Sequence, residues 1–382
     1  MNQISAVKAM LELCGPADPH QLAAALYATG FSADVYRRAH KDLLAKCPDA
    51  DSALTHFFRH GVPERRRFPI DLAAGPVRIL HQLPVARPEY VMSLLAALTN
   101  AYTGTVHDPF DETVPQRLAV LTELRCIGCR PFLLVGDSHS NLNRRSSVRA
   151  TEWLTPIHVL CSAGSAQGLV NPASRSGYGD RIRRLIARLE DIPEAASLPI
   201  MLEFGQVDAE FVYTFRRVRD HRDIFHMDDW EAFCCRSVDS YISFLCEVFH
   251  DSRRSDVVIL SIFPPSLSDE KWAEGYINGH ILSLEGPGNA EVMSRAIRQI
   301  EMPNLKTRTA MHAYYNTQLR AACVRHGFHF ADGFSPFLGP GAVLAPSFVP
   351  TTKGLDHHLE FHPTAHPTQA ILWQFIDIRG QI

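Results

Sequence analysis

The chain has 382 residues, is 46% hydrophobic and 21% charged, and carries a formal net charge of −3. This is the balance of a soluble globular protein of about two to three domains, and it provides no general attraction for nucleic acid or an anionic membrane. No apolar run approaches the ~18 residues of a spanning helix. Residues 1–15 lack the basic start and the long apolar stretch of a secretory signal. The nine cysteines are odd in number and irregularly spaced, with Cys234 and Cys235 adjacent. Without an export signal, reduced thiols and a cytoplasmic location are expected. Cys126 and Cys129 form a CxxC, but it precedes an apolar run instead of following one, and no second pair completes a zinc site.

Residues 1–75 read as a module of short helices, with apolar residues at helical spacing in 22–27 and 35–45. Asp51 is the expected N-cap of a helix through Phe57, and Gly61 its expected C-cap. Tyr36, Asp42, Ala53, His56, Phe57, His60, Gly61 and the arginines 65–67 make this stretch similar to a short helical module found beside bacterial glycosyltransferases and other glycan-processing domains. The resemblance implies a carbohydrate context and an association with glycan-biosynthesis machinery. A packed helical hairpin with a solvated basic turn is the other reading of the same residues.

From residue 76 to 382 the pattern alternates. Strand-like runs at 132–135, 157–161, 200–204, 257–262 and 328–330 are separated by helical stretches at 178–189, 230–249 and 307–326. A last helix is expected over 368–378. Gly327 is a good residue to end the third of these helices. Strands spaced by crossover helices predict a parallel sheet covered on both faces, a three-layer α/β/α sandwich. In such a sheet chemistry collects at the carboxyl ends of the strands.

The most informative segment is Phe132-Leu-Leu-Val-Gly-Asp-Ser-His-Ser140. An apolar strand runs into a glycine that permits a sharp turn, and the turn lifts Ser138 to the strand end. There its hydroxyl can meet a substrate carbonyl while backbone N–H groups of the next helix stabilise an oxyanion. An ordinary strand-to-helix loop with a capping serine uses the same residue types.

With the later segments in order, this block resembles the SGNH/GDSL hydrolase superfamily, and more closely the branch whose first block reads GDSHS and whose third reads FGxxD. The resemblance implies a flavodoxin-like α/β/α fold, Ser138 as nucleophile and Gly164, after the second strand, as an oxyanion N–H donor. The usual third block, G-x-N-D, is here Phe204-Gly-Gln-Val-Asp208. Val207 replaces the asparagine donor, so Gln206 is the expected substitute. Asp208 either holds the loop or binds a substrate hydroxyl.

The fifth block should provide Asp-x-x-His. The chain has instead Gly354-Leu-Asp-His-His-Leu-Glu-Phe-His-Pro-Thr-Ala-His366. His358, followed by leucine as in the family, is the expected base, with Asp356 two positions earlier as its orienting acid. His362, in a His-Pro-Thr variant of the block, is the alternative base. Histidine suits the role because its ordinary pKa lies near ~6.5. His358, His362 and His366 stand four apart, which also suggests a metal on one helix face, but Pro363 and Pro367 would break that helix.

Arg216, Arg217 and Arg219 follow the third block and read as a solvated face or, near a site, as binders of a sugar acid or a phosphate. The polar stretch 264–288, with Gly286-Pro-Gly288, is too long for a tight connection and suggests a lid or a substrate-binding insertion. The expected activity is serine-dependent hydrolysis or transfer of an acyl group on an O-acylated, acetylated, carbohydrate. Neither cofactor nor metal is required. The alternatives are a glycan-binding or scaffold protein on a degenerate fold, and a metal hydrolase.

Overall fold

The computed structural model describes residues 32–61, 122, 125, 128–144, 147–149, 152–193, 198–285, 290–351, 357–360 and 365–379. The expected helix at 22–27, the arginines 65–67, Cys126, Gly286 to Gly288, Asp356 and His362 lie outside these residues, as does the side chain of His366.

The N-terminal part contains α1 (Ala33–Ala39), α2 (Leu43–Lys46) and α3 (Ala50–His56), which runs on as a widened turn through Phe57–Gly61. The single helix expected over 35–45 is broken at His40 to Asp42. The N-cap of α3 is Asp49, not Asp51: its side chain accepts from the Ser52 N–H at 2.8 Å while the Ser52 hydroxyl accepts from the Asp49 N–H at 3.2 Å. Gly61 does not serve as a conventional cap. It closes the widened turn against Tyr36, where any Cβ would collide with the Tyr36 hydroxyl. Of the residues of the module resemblance, His56, Phe57 and Gly61 gather on Tyr36, whose hydroxyl meets His56 Nδ1 at 3.2 Å and whose ring packs edge-on against Phe57 and also against His40. Tyr36, Leu43 and Phe57 are fully buried and belong to the same apolar cluster as one face of the sheet described next.

That sheet has six strands: β1 (Cys129–Gly136), β2 (Ser147–Arg149), β3 (Glu152–Leu160), β4 (Ile200–Glu203), β5 (Val257–Leu260) and β6 (His329–Ala331), in the order β2-β3-β1-β4-β5-β6. Short β2 is antiparallel to β3; all other pairings are parallel. The five parallel strands, numbered among themselves, read 2-1-3-4-5, the flavodoxin-like doubly wound order. Both sides of these strands are covered, which is why they read as continuous apolar runs. Leu133, Val135, Ile157, Ile200, Leu202 and Ile259 face one cluster, with Ile182, Tyr241 and Tyr315 from α4 (Tyr178–Glu190), α5 (Met227–Val248) and α6 (Leu305–His326). Phe132, Leu134, Leu154, Met201 and Val258 face the other, with Leu372 and Trp373 from α7 (Ala365–Arg379). Trp373 is further pinned by an Nε1–H bond to the Ser147 hydroxyl at 2.8 Å, and Arg149 stacks over its ring.

α6 ends where expected, at Gly327 in the left-handed conformation (φ 78°). Within the stretch 264–288, expected as a lid or a substrate-binding insertion, helices span Asp269–Ala273 and Gly279–Glu285. Arg217, in the basic run, is buried with its guanidinium against Tyr213 and Phe225 rather than solvated. Cys129, of the CxxC, is buried, and burial pushes its thiol up to about 12, far from thiolate reactivity. Among the described residues no helix is long and apolar enough to cross a membrane.

Candidate active site

The order of the sheet reverses at β1, which lies between β3 and β4. The loops leaving these three strands therefore meet at one carboxyl edge, and they carry the first, second and third blocks.

At the end of β1, Gly136 lies so close to β4 that a Cβ would stand 2.8 Å from the Glu203 carbonyl oxygen and 2.7 Å from Ser140 Cβ. Only glycine lets the turn close here. Buried Asp137 then caps a short 3-10 helix, Ser138–Asn143, accepting from the His139 N–H at 2.8 Å. The Ser140 hydroxyl donates to the Asp137 carbonyl at 2.6 Å, so it must accept from His158 Nε2–H, 2.7 Å away. Asn141 holds the Ser138 carbonyl at 2.7 Å. This leaves Ser138 partly exposed on a fixed turn, its Oγ 2.9 Å from His358 Nε2.

His358 comes from a loop 220 positions further along the chain. Its neighbours anchor that loop. Leu359 is buried, and the Glu360 N–H donates to the Phe348 carbonyl at 2.8 Å. His357 is buried, with Nε2 3.3 Å from Asn278 Nδ2 and Nδ1 2.9 Å from the Tyr276 hydroxyl. Asn278 Oδ1 accepts from the Ile281 N–H, which orients its Nδ2 as the donor to His357. His357 Nε2 therefore accepts, and Nδ1–H donates to Tyr276. Tyr276 and Asn278 belong to the stretch read from sequence as a lid; its observed role is to brace the histidine loop. Burial lowers the His358 pKa to about 2, with His139 and His357 adding to the effect, so the imidazole is neutral and able to accept a proton. Among the described residues nothing accepts a hydrogen bond from its Nδ1.

Two residues without a sequence-derived role, Asp137 and His139, complete the turn. Almost fully buried, His139 presents Nδ1 to Asp137 Oδ1 at 3.0 Å and Nε2 to the His357 carbonyl at 3.2 Å. Burial opposes a charge on His139, yet the Asp137 carboxylate, helped by Glu210 and Glu203, outweighs it and brings the imidazole up to about 9. Glu203, at the end of β4, accepts from Asn143 Nδ2 at 3.0 Å, and burial pushes its carboxyl well above the carboxylate range. Burial also raises Glu210, to about 7.

The second and third blocks are committed elsewhere. The Gly164 N–H, expected as an oxyanion donor, donates to the Cys161 carbonyl at 2.8 Å inside a turn that carries Ala163 at φ 57°. Gln206, the expected substitute donor, is buried with both ends of its amide occupied. Its Oε1 accepts from the Phe263 N–H at 2.7 Å, and its Nε2 donates to Glu210 Oε1 at 2.9 Å. It staples β4 to the chain leaving β5, and this, not donation to substrate, is its observed work. Asp208 is fully buried and accepts from the Ala166 N–H (2.5 Å), the Gln167 N–H (3.2 Å) and the Ser237 hydroxyl (3.1 Å), so of its two expected roles the structure displays the loop-holding one.

Nitrogens of His139, His357 and His358 lie within 4.8 Å of one another. The set does not suit a metal. His139 faces two acceptors and has no lone pair to offer, both His357 nitrogens are engaged, and His358 Nε2 points to Ser138. Beside the second block a polar cleft of about 270 Å³ opens between Ser165, Gly168, Asn171, Ser174, Arg175 and Tyr178.

No protein-family model and no curated protein matches the chain. Among solved structures it is similar to an extracellular lipase from Streptomyces rimosus (15% identity, 64% of this chain and 98% of that one, TM-score 0.34). It is also similar to a phospholipase A1 from Streptomyces albidoflavus NA297 (16%, 64% and 98%, TM-score 0.29) and to a GDSL-like lipase from Bacteroides thetaiotaomicron VPI-5482 (11%, 69% and 98%, TM-score 0.30). The chain's own features carry the assignment of fold: the GDSHS block ends the strand at the switch point, and the second and third blocks end its two neighbours. By topology the chain has a flavodoxin-like, doubly wound α/β/α fold, with the GDSHS block at its switch point.

Proposed function

We propose that the protein is a serine-dependent acyl-ester hydrolase or acyltransferase acting on an O-acylated carbohydrate. The observation that carries this reading is the 2.9 Å approach of Ser138 Oγ to His358 Nε2 at the carboxyl edge of the sheet. The Ser138 hydroxyl attacks the ester carbonyl as its proton passes to His358 Nε2. The backbone N–H of Ser138, at the first position of the 3-10 helix, has no partner within that helix and is the donor for the developing oxyanion. The protonated His358 then gives its proton to the leaving alcohol. Water, or a second sugar hydroxyl, takes the acyl group from Ser138 with His358 again as base.

Two features favour a carbohydrate over a long acyl chain. The cleft beside the second block is lined by hydroxyl, amide and guanidinium groups, which suit a polyhydroxylated ligand. The module within residues 1–75 resembles those found beside glycan-processing domains, and we read it as positioning a polymeric substrate and linking the enzyme to glycan-biosynthesis machinery. Asp356 remains the proposed orienting acid of His358 and His362 the alternative base.

A fluorophosphonate probe tests the serine. Labelling that disappears in Ser138→Ala supports the reading, and an unlabelled wild-type protein sinks it. Release of acetate from an O-acetylated polysaccharide, compared with acetyl transfer to an unacetylated one, tests the substrate class and separates hydrolase from transferase. One observation favours a second reading, a non-catalytic glycan-binding protein: the Gly164 N–H and the Gln206 amide are both occupied by other partners. That reading expects polysaccharide binding without probe labelling.

A further inference from the structure

We propose that His139 is a positioning residue of this site, a buried imidazolium that ties the His357–His358 loop to the carboxyl end of β1 and backs the His358 ring. The inference rests on the reading of Ser138 and His358 as nucleophile and base.

Hydrogen-bond geometry and the neighbouring Asp137 together favour the charge. The acceptor at Nε2 is a peptide carbonyl, that of His357 at 3.2 Å, so Nε2 must carry a proton. The acceptor at Nδ1 is Asp137 Oδ1 at 3.0 Å, and the same oxygen already accepts the His139 backbone N–H at 2.8 Å. With Asp137 ionised, Nδ1 is then a donor as well. A histidine that donates from both nitrogens is a cation.

The cation does two things. Its Nε2–H bond reaches across 218 positions of chain and fixes the carbonyl of the residue before His358. Its ring lies against His358, with centroids 4.6 Å apart and planes at 33°. Ring packing by His139 and by His357 (4.0 Å) limits how far the His358 ring can turn and so helps to hold the direction of Nε2. A positive charge against that ring also disfavours a second one on His358, and so keeps the base unprotonated at acid pH. The groups facing His139 are Asp137 on its own turn, Glu203 at the end of β4, Glu210 in the turn 208–212, His357 and His358 on the loop, and His312 from α6. Of these, Asp137, Glu203 and Glu210 favour its charge.

The test has two arms on the full-length protein. In the wild type, nitrogen-15 NMR of the imidazoles should show His139 protonated on both nitrogens at pH 7, losing a proton only near pH 9. A neutral His139 at pH 7 overturns the proposal without reference to activity, and this arm does not depend on a variant folding. In the second arm, pH profiles for hydrolysis of p-nitrophenyl acetate are compared for wild type and His139→Gln. The variant should lose about 10–10²-fold in kcat through misplacement of the base. The acid limb of its kcat/KM profile should move up by a pH unit or more, toward ordinary histidine. A loss of rate with the acid limb unmoved would mean a structural role only, and would overturn the proposal. Probe labelling of Ser138 separates the two readings: a labelled enzyme with a neutral His139 fails this inference alone, whereas an unlabelled wild type removes its foundation.

Discussion

Ser138 and Gln206 follow adjacent parallel strands, two and three residues past the paired positions Gly136 and Glu203. Both were singled out from sequence by type and place. Ser138 sits on a turn whose backbone is bonded by Asp137, Ser140 and Asn141, and among the described residues its hydroxyl faces His358. Gln206 sits on a turn that its own side chain builds, through Phe263 and Glu210. A polar side chain at a strand end is available for chemistry only when other groups satisfy the loop around it. Where the side chain is itself the satisfying group, its loss costs structure before it costs catalysis.

The largest effect that would break this comparison is at the first block. Ser138→Ala should lower hydrolysis of p-nitrophenyl acetate by about 10³-fold or more with the melting temperature unchanged. Near-normal turnover would remove the serine mechanism. His358→Ala should cost a similar factor, since the hydroxyl loses the proton acceptor it faces. If His358→Ala remained active, steady-state rates would place the base elsewhere, with His362 the next position to substitute.

The third block should respond in stability. Asp208→Ala strips the Ala166 and Gln167 N–H groups and the Ser237 hydroxyl of a buried carboxylate, and should cost about 3 kcal/mol in urea unfolding, with hydrogen bonds to charged groups worth ~1.5–3 kcal/mol. Gln206→Ala leaves the buried Phe263 N–H without its acceptor and should cost about 1–3 kcal/mol. Its kcat per folded molecule should stay within a few-fold of wild type. A hundred-fold fall in kcat at unchanged stability would restore Gln206 as an oxyanion donor and erase the contrast.

The last expected effect is a slope with pH. The folded-state pKa of His139 is raised, from 6.5 to about 9. The stabilisation from its proton is therefore complete below pH 6.5 and lost as pH rises through 9. Native His139 binds more protons than the unfolded residue throughout this window, so unfolding free energy should decline across it. In His139→Gln the decline should flatten, as read by urea unfolding at pH 6.5, 7.5 and 9.

The layers of the fold and the position of Ser138 at a strand end were legible in the sequence. Apolar runs such as 132–135 and 257–262 are strand signals because both faces of a parallel strand are buried, and the glycine of GDSHS is required by contact with the neighbouring strand. These are local patterns, or patterns repeated along the chain. His358 was also legible, through its His-Leu pair, because the resemblance bridged the gap between distant blocks. The tertiary structure alone decided what each strand-end polar group bonds to. Gly164 and Gln206 looked like donors because their types can donate, and only the positions of Cys161, Phe263 and Glu210 reveal that this capacity is used. His139 was in view within GDSHS, but its partner is a carbonyl 218 positions away, and a peptide carbonyl leaves no mark in the residue code. Tyr276 and Asn278 were hidden for the same reason. Their partner is a histidine brought near by sheet topology, and hydrogen-bond satisfaction depends on distance in space, which spacing along the chain does not encode.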